Sequence, residues 1–264
     1  MIKKDFAGLP LWQFKNLNRF TEIKHYVSGR EGGVSEGEVG SLNLGLRAEA
    51  NRENVLENRR RVAEAMGVAP IHLVFPSQTH SDHVKLVQAH TLPGELEDTD
   101  ALICNTPGIC ISVMSADCVP ILLYDPVTRA VAAVHAGWRG TVAKILEHTV
   151  RQMQSQFDTQ PSDLIAGIGP SICPEVYEVG PEVITAVAEV FGTKENLVSR
   201  ENGEGKGFLN LWEANRLQLL SLGVRPEAIE VAGICTFTHS DVFFSARKSG
   251  NKAGRFAAGI LIRG

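Results

Sequence analysis

The sequence has no uncharged apolar run near the ~18 residues that a membrane-spanning helix needs, which excludes a helical integral membrane protein. The stretch Met1 to Phe14 carries Lys3 and Lys4 but no apolar segment long enough for a secretory signal, so a soluble, cytoplasmic protein is expected. Basic residues are not in excess: 26 Lys and Arg stand against 30 Asp and Glu, a net charge of -4. That balance argues against non-specific binding to nucleic acid or to a membrane surface, and leaves room for small anions at local clusters. The five cysteines, at 104, 110, 118, 173 and 235, are odd in number and widely spread, so they read as reduced thiols rather than a disulfide framework. Repeats, low-complexity tracts and linkers are also missing, which leaves one domain spanning 1–264 as the expectation.

What is present is a chain of 264 residues, 44% hydrophobic and 21% charged, an ordinary globular composition. Surface scaling puts the folded area near about 11,000 Å² against about 42,000 Å² unfolded, so neither a metal nor a disulfide is needed for folding. A metal site in such a chain is therefore expected to be functional.

Periodicity predicts a helix from Asn51, its N-cap, to Gly67, with Val55, Val62 and Met66 on one face and Arg59 on the same stripe. Short branched apolar runs at Ile71–Phe75, His83–Val87, Ala101–Cys104, Ile109–Met114, Val119–Tyr124 and Ala130–Val134 read as buried strands. A helix is expected over Thr141–Phe157, a strand at Leu164–Ile168, and a helix from Pro181 to about Phe191. A strand at Phe208–Leu211, a helix over Trp212–Leu222, and strands near Ile229–Ile234, Val242–Ser245 and Phe256–Ile262 complete the pattern. Clustered strands interleaved with helices give the fold class α/β (α+β): mixed β-sheets flanked by helices in one compact sandwich.

Three apolar strands end in polar signatures: Phe75-Pro-Ser-Gln-Thr-His80, Met114-Ser-Ala-Asp-Cys118 and Val134-His135-Ala-Gly-Trp-Arg-Gly140. Strand ends of α/β sheets converge on crevices, so His80, Cys118 and His135 are candidates for one site. Imidazole and thiolate suit zinc or copper, and two His with one Cys leave a fourth position open for water or substrate. Taken singly, each is more often a core residue. A metal-free alternative makes Cys118 a nucleophile, a His its base and Asp117 an orienter.

The glycines of the His135–Gly140 stretch let backbone N–H groups approach an anion at a helix start, with Arg139 adding a charged contact. Arg59 is a second cationic candidate. Ser245 and Arg247 follow an expected strand whose Phe243 or Phe244 would stack on a base, although aromatics at strand spacing more often belong to the core. His25, His72, His83, His90 and His148 lie in polar or amphipathic settings without a paired ligand, and His239, four residues beyond Cys235, has no second Cys/His pair to make a structural zinc site. Cys104, Cys110, Cys173 and Cys235 read as structural thiols.

At these residues the chain resembles the bacterial YfiH family, also called the laccase-domain or polyphenol-oxidase family. The likeness runs through Ser41-Leu-Asn-Leu-Gly45, Glu57-Asn-Arg59, Gln78-Thr-His80, Ala116-Asp-Cys-Val-Pro120, His135-Ala-Gly-Trp-Arg-Gly140, Gly169-Pro170, Tyr177-Glu-Val-Gly180 and Phe244-Ser245. It implies a single YfiH-like laccase domain whose metal, zinc with copper as the alternative, is held by His80, Cys118 and His135, which also carry the catalysis. It implies phosphorolysis of adenosine, inosine and S-methyl-5'-thioadenosine, and deamination of adenosine by a water whose pKa the metal lowers toward about 7. Purine nucleoside and phosphate are then the partners, with Asn43, Arg59, Gln78, Arg139, Ser245 and Arg247 as substrate-binding candidates. Ser81, Ser171 and Ala246 depart from the family's usual Gly, Cys and aromatic, which bears on pocket shape rather than on the metal ligands.

The His-x-Glu and Pro-Cys-x-x-Cys signature of zinc nucleobase deaminases is missing, so no general acid/base is assigned. Competing readings are a copper-dependent polyphenol oxidase, a Cys-dependent hydrolase acting on a cell-wall precursor, and a metal-binding interaction protein of an envelope or signalling system. The first ranks lower because eight histidines offer one convergent triad where a laccase needs several coppers.

Overall fold

Runs of branched and aromatic residues build two six-stranded mixed sheets that pack face to face. The computed structural model describes residues 1–264 except Ala7, Ala48 and Ala50, and of Pro93 and Asn251 only the backbone. The first sheet runs β1 (Ile2–Phe6), β2 (Leu9–Gln13), β3 (Ile23–Ser28), β15 (Phe256–Ile262), β7 (Cys110–Ser115), β4 (Leu73–Val74). The second runs β14 (Ile229–Val231), β10 (Ile165–Ile168), β8 (Val119–Asp125), β9 (Ala130–Ala136), β6 (Ala101–Cys104), β5 (Val84–Leu86). A small third sheet joins β11 (Glu178–Val179), β13 (Gly207–Leu209) and β12 (Val198–Ser199).

Alternation along the strands sends side chains to both faces of each sheet, so each face needs a cover. Ile111, Val113 and Ile260 of the first sheet meet Leu102, Leu122 and Val131 of the second in the inner core. The outer face of the first sheet, with Leu11, Tyr26 and Leu261, is covered by Val62, Ala63 and Met66 of α1 (Arg52–Met66). The outer face of the second, with Ile121, Leu123 and Val134, is covered by α3 (Ile145–Phe157), α4 (Pro181–Phe191) and α5 (Leu211–Ser221). The result is a layered helix–sheet–sheet–helix sandwich, the fold class that the pattern predicts. Its accessible surface is 11191 Å², in line with the scaling expectation. Among the described residues, no helix is long and apolar enough to cross a membrane.

Several local expectations change. The helix expected over Thr141–Phe157 is two helices, α2 (Trp138–Val142) and α3 (Ile145–Phe157). Lys144, at φ 60°, turns the chain between them, and the apolar stripe belongs to α3 alone. The strand expected at Val242–Ser245 is a turn, because the N–H groups of Val242 and Phe243 donate to the His239 carbonyl. Phe243 and Phe244 still bury their rings in the inner core, so neither is a stacking platform. Ser245 instead caps α6 (Ala246–Ser249), accepting from the Lys248 N–H at 3.3 Å. Ile71 and His72 lie in a turn begun by Pro70, leaving only Leu73–Val74 as strand. The strand at Ile229–Ile234 stops at Val231. His25, expected in a polar or amphipathic setting, is a buried histidine of β3 that accepts the Phe14 N–H at 2.9 Å.

Candidate metal centre

The hairpin β8–β9 pairs Val119 with Ala136 and Pro120 with His135, which sets Cys118, just before β8, against Gly137, just after β9. His80 reaches the same spot from the loop leading to β5, held at φ 65°, a left-handed conformation that a non-glycine residue adopts only when its surroundings fix it. One ligand atom from each of His80, Cys118 and His135 lies within 4.8 Å of the others. The two imidazoles stand edge to face with centroids 5.1 Å apart. The sequence-predicted triad is therefore brought together.

Glycine at 137 is a geometric requirement. A Cβ built there would sit 2.9 Å from the Cys118 Sγ and 3.1 Å from the His80 ring, inside the space the ligands occupy. Asp117, at φ 90°, makes the tight turn before Cys118, and its carboxylate accepts from the Thr236 hydroxyl and the Arg247 N–H, both at 2.6 Å.

Asp100 is the residue that sequence reasoning missed. Fully buried before β6, its Oδ1 meets His135 Nδ1 at 2.7 Å. Its Oδ2 accepts from the Thr79 N–H at 3.0 Å, the Ser81 N–H at 2.7 Å and the Ser81 hydroxyl at 2.9 Å. One carboxylate thus orients His135 and grips the residues on either side of His80. The Ser81 hydroxyl adds a bond to that grip. With Nδ1 taken by Asp100, the Nε2 of His135 is the nitrogen left for a metal.

The electrostatics suit a thiolate ligand. Burial pushes the Cys118 thiol up, but the positive charge and hydrogen bonds of His135 and His80 outweigh it and hold the thiol at about 6. Burial pulls His135 down, while the Cys118 thiolate and Asp100 lift it to about 9. Asp100 is drawn down to about 2, because its bonds to His135 and two backbone N–H groups outweigh the cost of burial. Two imidazoles and a thiolate at this spacing fit a soft-to-borderline cation such as zinc or copper.

The substrate-binding candidates divide. Asn43 is buried, its carboxamide bonded to both backbone groups of Gly45 and to the Arg255 N–H. Gln78 pairs with both backbone groups of Met114. Arg59 turns Nε and Nη2 onto the Leu44 carbonyl beneath Phe75. Arg139 is exposed, its guanidinium 4.4 Å from the Trp138 ring centroid. Arg247 donates to the Glu178 carbonyl and lies 5.2 Å from the Tyr177 ring centroid. Half-buried Tyr177, another residue without an assigned role in the sequence reading, has its hydroxyl pushed up by burial and by the negative charge of Cys118.

Residues 24–263 match the family model described as multi-copper polyphenol oxidoreductase laccase. The chain is 41% identical to a purine nucleoside phosphorylase of Bacteroides thetaiotaomicron, over 94% of this chain and 95% of that one. It is 38% identical to adenosine deaminase RL5 from an unknown prokaryotic organism, over 78% of this chain and 81% of that one. The crystal structure of the Bacillus licheniformis protein YfiH superposes with a TM-score of 0.92 at 29% identity, covering 99% of each chain.

Proposed function

The chain belongs to the laccase-domain family that includes the YfiH proteins, and on that premise we propose that it is a metal-dependent purine nucleoside enzyme. It phosphorolyses adenosine, inosine and S-methyl-5'-thioadenosine and deaminates adenosine in the cytoplasm. The observation that carries this reading is the convergence of His80, Cys118 and His135, with Asp100 fixing the tautomer of His135. His80, Cys118 and His135 would hold a zinc or copper ion, which would supply Lewis acidity to the reaction.

The other steps belong to the chain's own side chains. Asp100 keeps His135 oriented, so the ligand set costs little reorganisation when it is used. Arg139, Arg247 and Tyr177 form the rim where a nucleoside enters. Asn43, Arg59 and Gln78 act by positioning, since their donors are turned onto backbone groups. Ser245 caps the short helix α6 that carries Arg247.

A panel of adenosine, inosine and methylthioadenosine, with and without phosphate, tests the proposal by product identification. Free base formed only with phosphate establishes phosphorolysis, and inosine from adenosine establishes deamination. Absence of both sinks the reading. A copper-dependent polyphenol oxidase is the second reading, favoured by the family model's description. It requires several coppers in the purified protein and phenol oxidation that tracks them.

A further inference from the structure

Arg255 stands one residue before β15, where Phe256 pairs with Ser115. Continuing that antiparallel register places Arg255 opposite Ala116, beside the turn that carries Asp117 and Cys118. Its surroundings are built for it. The Arg255 N–H donates to Asn43 Oδ1 at 2.8 Å, and its carbonyl accepts from the Leu44 N–H at 2.9 Å. A Cβ on Gly45 would lie 2.6 Å from the Arg255 Cγ, so glycine there leaves space for the arginine stem. The Leu44 carbonyl in turn takes Nε and Nη2 of Arg59 at 3.0 and 2.8 Å. The motif Ser41–Gly45 thus links Arg59, on the helix α1, to Arg255 at the sheet end.

The guanidinium itself is under-used. Nη1 donates to the Ala253 and Gly254 carbonyls at 2.6 and 3.0 Å, while Nε and Nη2 have no protein acceptor among the described residues. Among the described residues no carboxylate pairs with Arg255. Burial pulls Arg255 down, the charges of Cys118 and Asp117 lift it, and the like charge of Arg47 lowers it again. A half-buried guanidinium with two free donors and a cationic neighbour lacks an anion.

We propose that Arg255 binds the phosphate co-substrate, presenting Nε and Nη2 to two phosphate oxygens, with Arg47 at the outer rim. This rests on the phosphorolytic reading and reassigns its anion contact, since α2, which carries Arg139, is only five residues long. Asn43 and Arg59 are then positioning residues for Arg255.

The test pairs kinetics with direct binding in the metal-loaded protein. Arg255→Gln raises the phosphate KM of inosine phosphorolysis by roughly tenfold or more, the scale of a lost charge-assisted contact, with the inosine KM within about twofold. Arg255→Lys recovers part of the loss and guards against misfolding of the Gln variant. Inorganic phosphate raises the melting temperature of the parent protein and of Arg129→Gln, at the opposite end of the β8–β9 hairpin, but not of Arg255→Gln. A phosphate shift that depends on Arg255 without any phosphorolysis supports the site and sinks the phosphorolase reading alone. Unchanged phosphate KM and a retained phosphate shift in Arg255→Gln overturn the proposal. So does equal loss in both KM values, or a shift given by inosine monophosphate and not by inorganic phosphate.

Discussion

Two neighbourhoods of the molecule hold histidine and cysteine and treat them in opposite ways. At the ends of β8 and β9, Cys118 is held at about 6 and His135 at about 9, each by the other's charge. In the first sheet, burial pulls His25 down to about 3 and pushes Cys110 up to about 12. His25 spends its ring nitrogen on the Phe14 N–H, and the Cys110 sulfur lies 3.7 Å from the Ser112 hydroxyl. The residue types are the same; a buried carboxylate and a glycine-sized gap separate a ligand from a core side chain.

The sharpest way to break that contrast is Cys118→Ala. Bound metal, measured by elemental analysis, should fall below about a tenth of an equivalent, and nucleoside turnover by roughly a thousandfold, as expected when a Lewis acid is lost. Gly137→Ala keeps all three ligands and pushes a methyl between them. It should cost about a hundredfold in turnover through misplacement alone, with an unchanged ligand inventory. Full activity in that variant would mean that the spacing around Gly137 is irrelevant.

Asp100→Asn removes the charge that distinguishes the two neighbourhoods. Metal affinity, from competition with a chromophoric chelator, should weaken by about 10–100-fold, and tight binding retained would deny Asp100 its part.

The two core residues of the first sheet, on its opposite faces, answer to stability rather than to metal. The folded pKa of His25 lies below its ordinary value of 6.5, so the unfolded chain binds the extra proton. Its contribution is full above pH 6.5 and is lost as pH falls toward about 3, at up to about 1.4 kcal/mol per pH unit. Urea unfolding across that window should show the slope, and His25→Gln should flatten it. The smallest effect belongs to Cys110→Ala: a loss of about 1 kcal/mol in urea and one metal equivalent retained.

The candidate triad was legible because each member follows or closes an apolar run in the sequence, and such ends converge in this class of fold, although His80 proves to sit in the loop between β4 and β5 rather than at a strand end. A glycine-bearing helix entry after His135 was legible too, but the helix starts at Trp138 rather than Thr141, and the need for glycine at 137 shows only in the fold. Asp100 was not, since Asp98-Thr99-Asp100 carries no motif and its role depends on two loops that only the tertiary fold brings together. Arg255 escaped for the same reason: its seat is made by residues more than two hundred positions earlier, 43 to 45. The split of the expected helix at Lys144 was hidden because the apolar stripe of α3 continues the period of Val142. Val242–Ser245 misled because two buried phenylalanines look like a strand when they anchor a turn.

The most direct test of the account is a metal titration read by catalysis. Chelated protein is reloaded with zinc in substoichiometric steps, and hypoxanthine release from inosine and phosphate is followed at each step. No release is expected without metal, followed by a linear rise that saturates at one equivalent. Full activity in the chelated protein, or activity appearing only with several equivalents of copper, would contradict it.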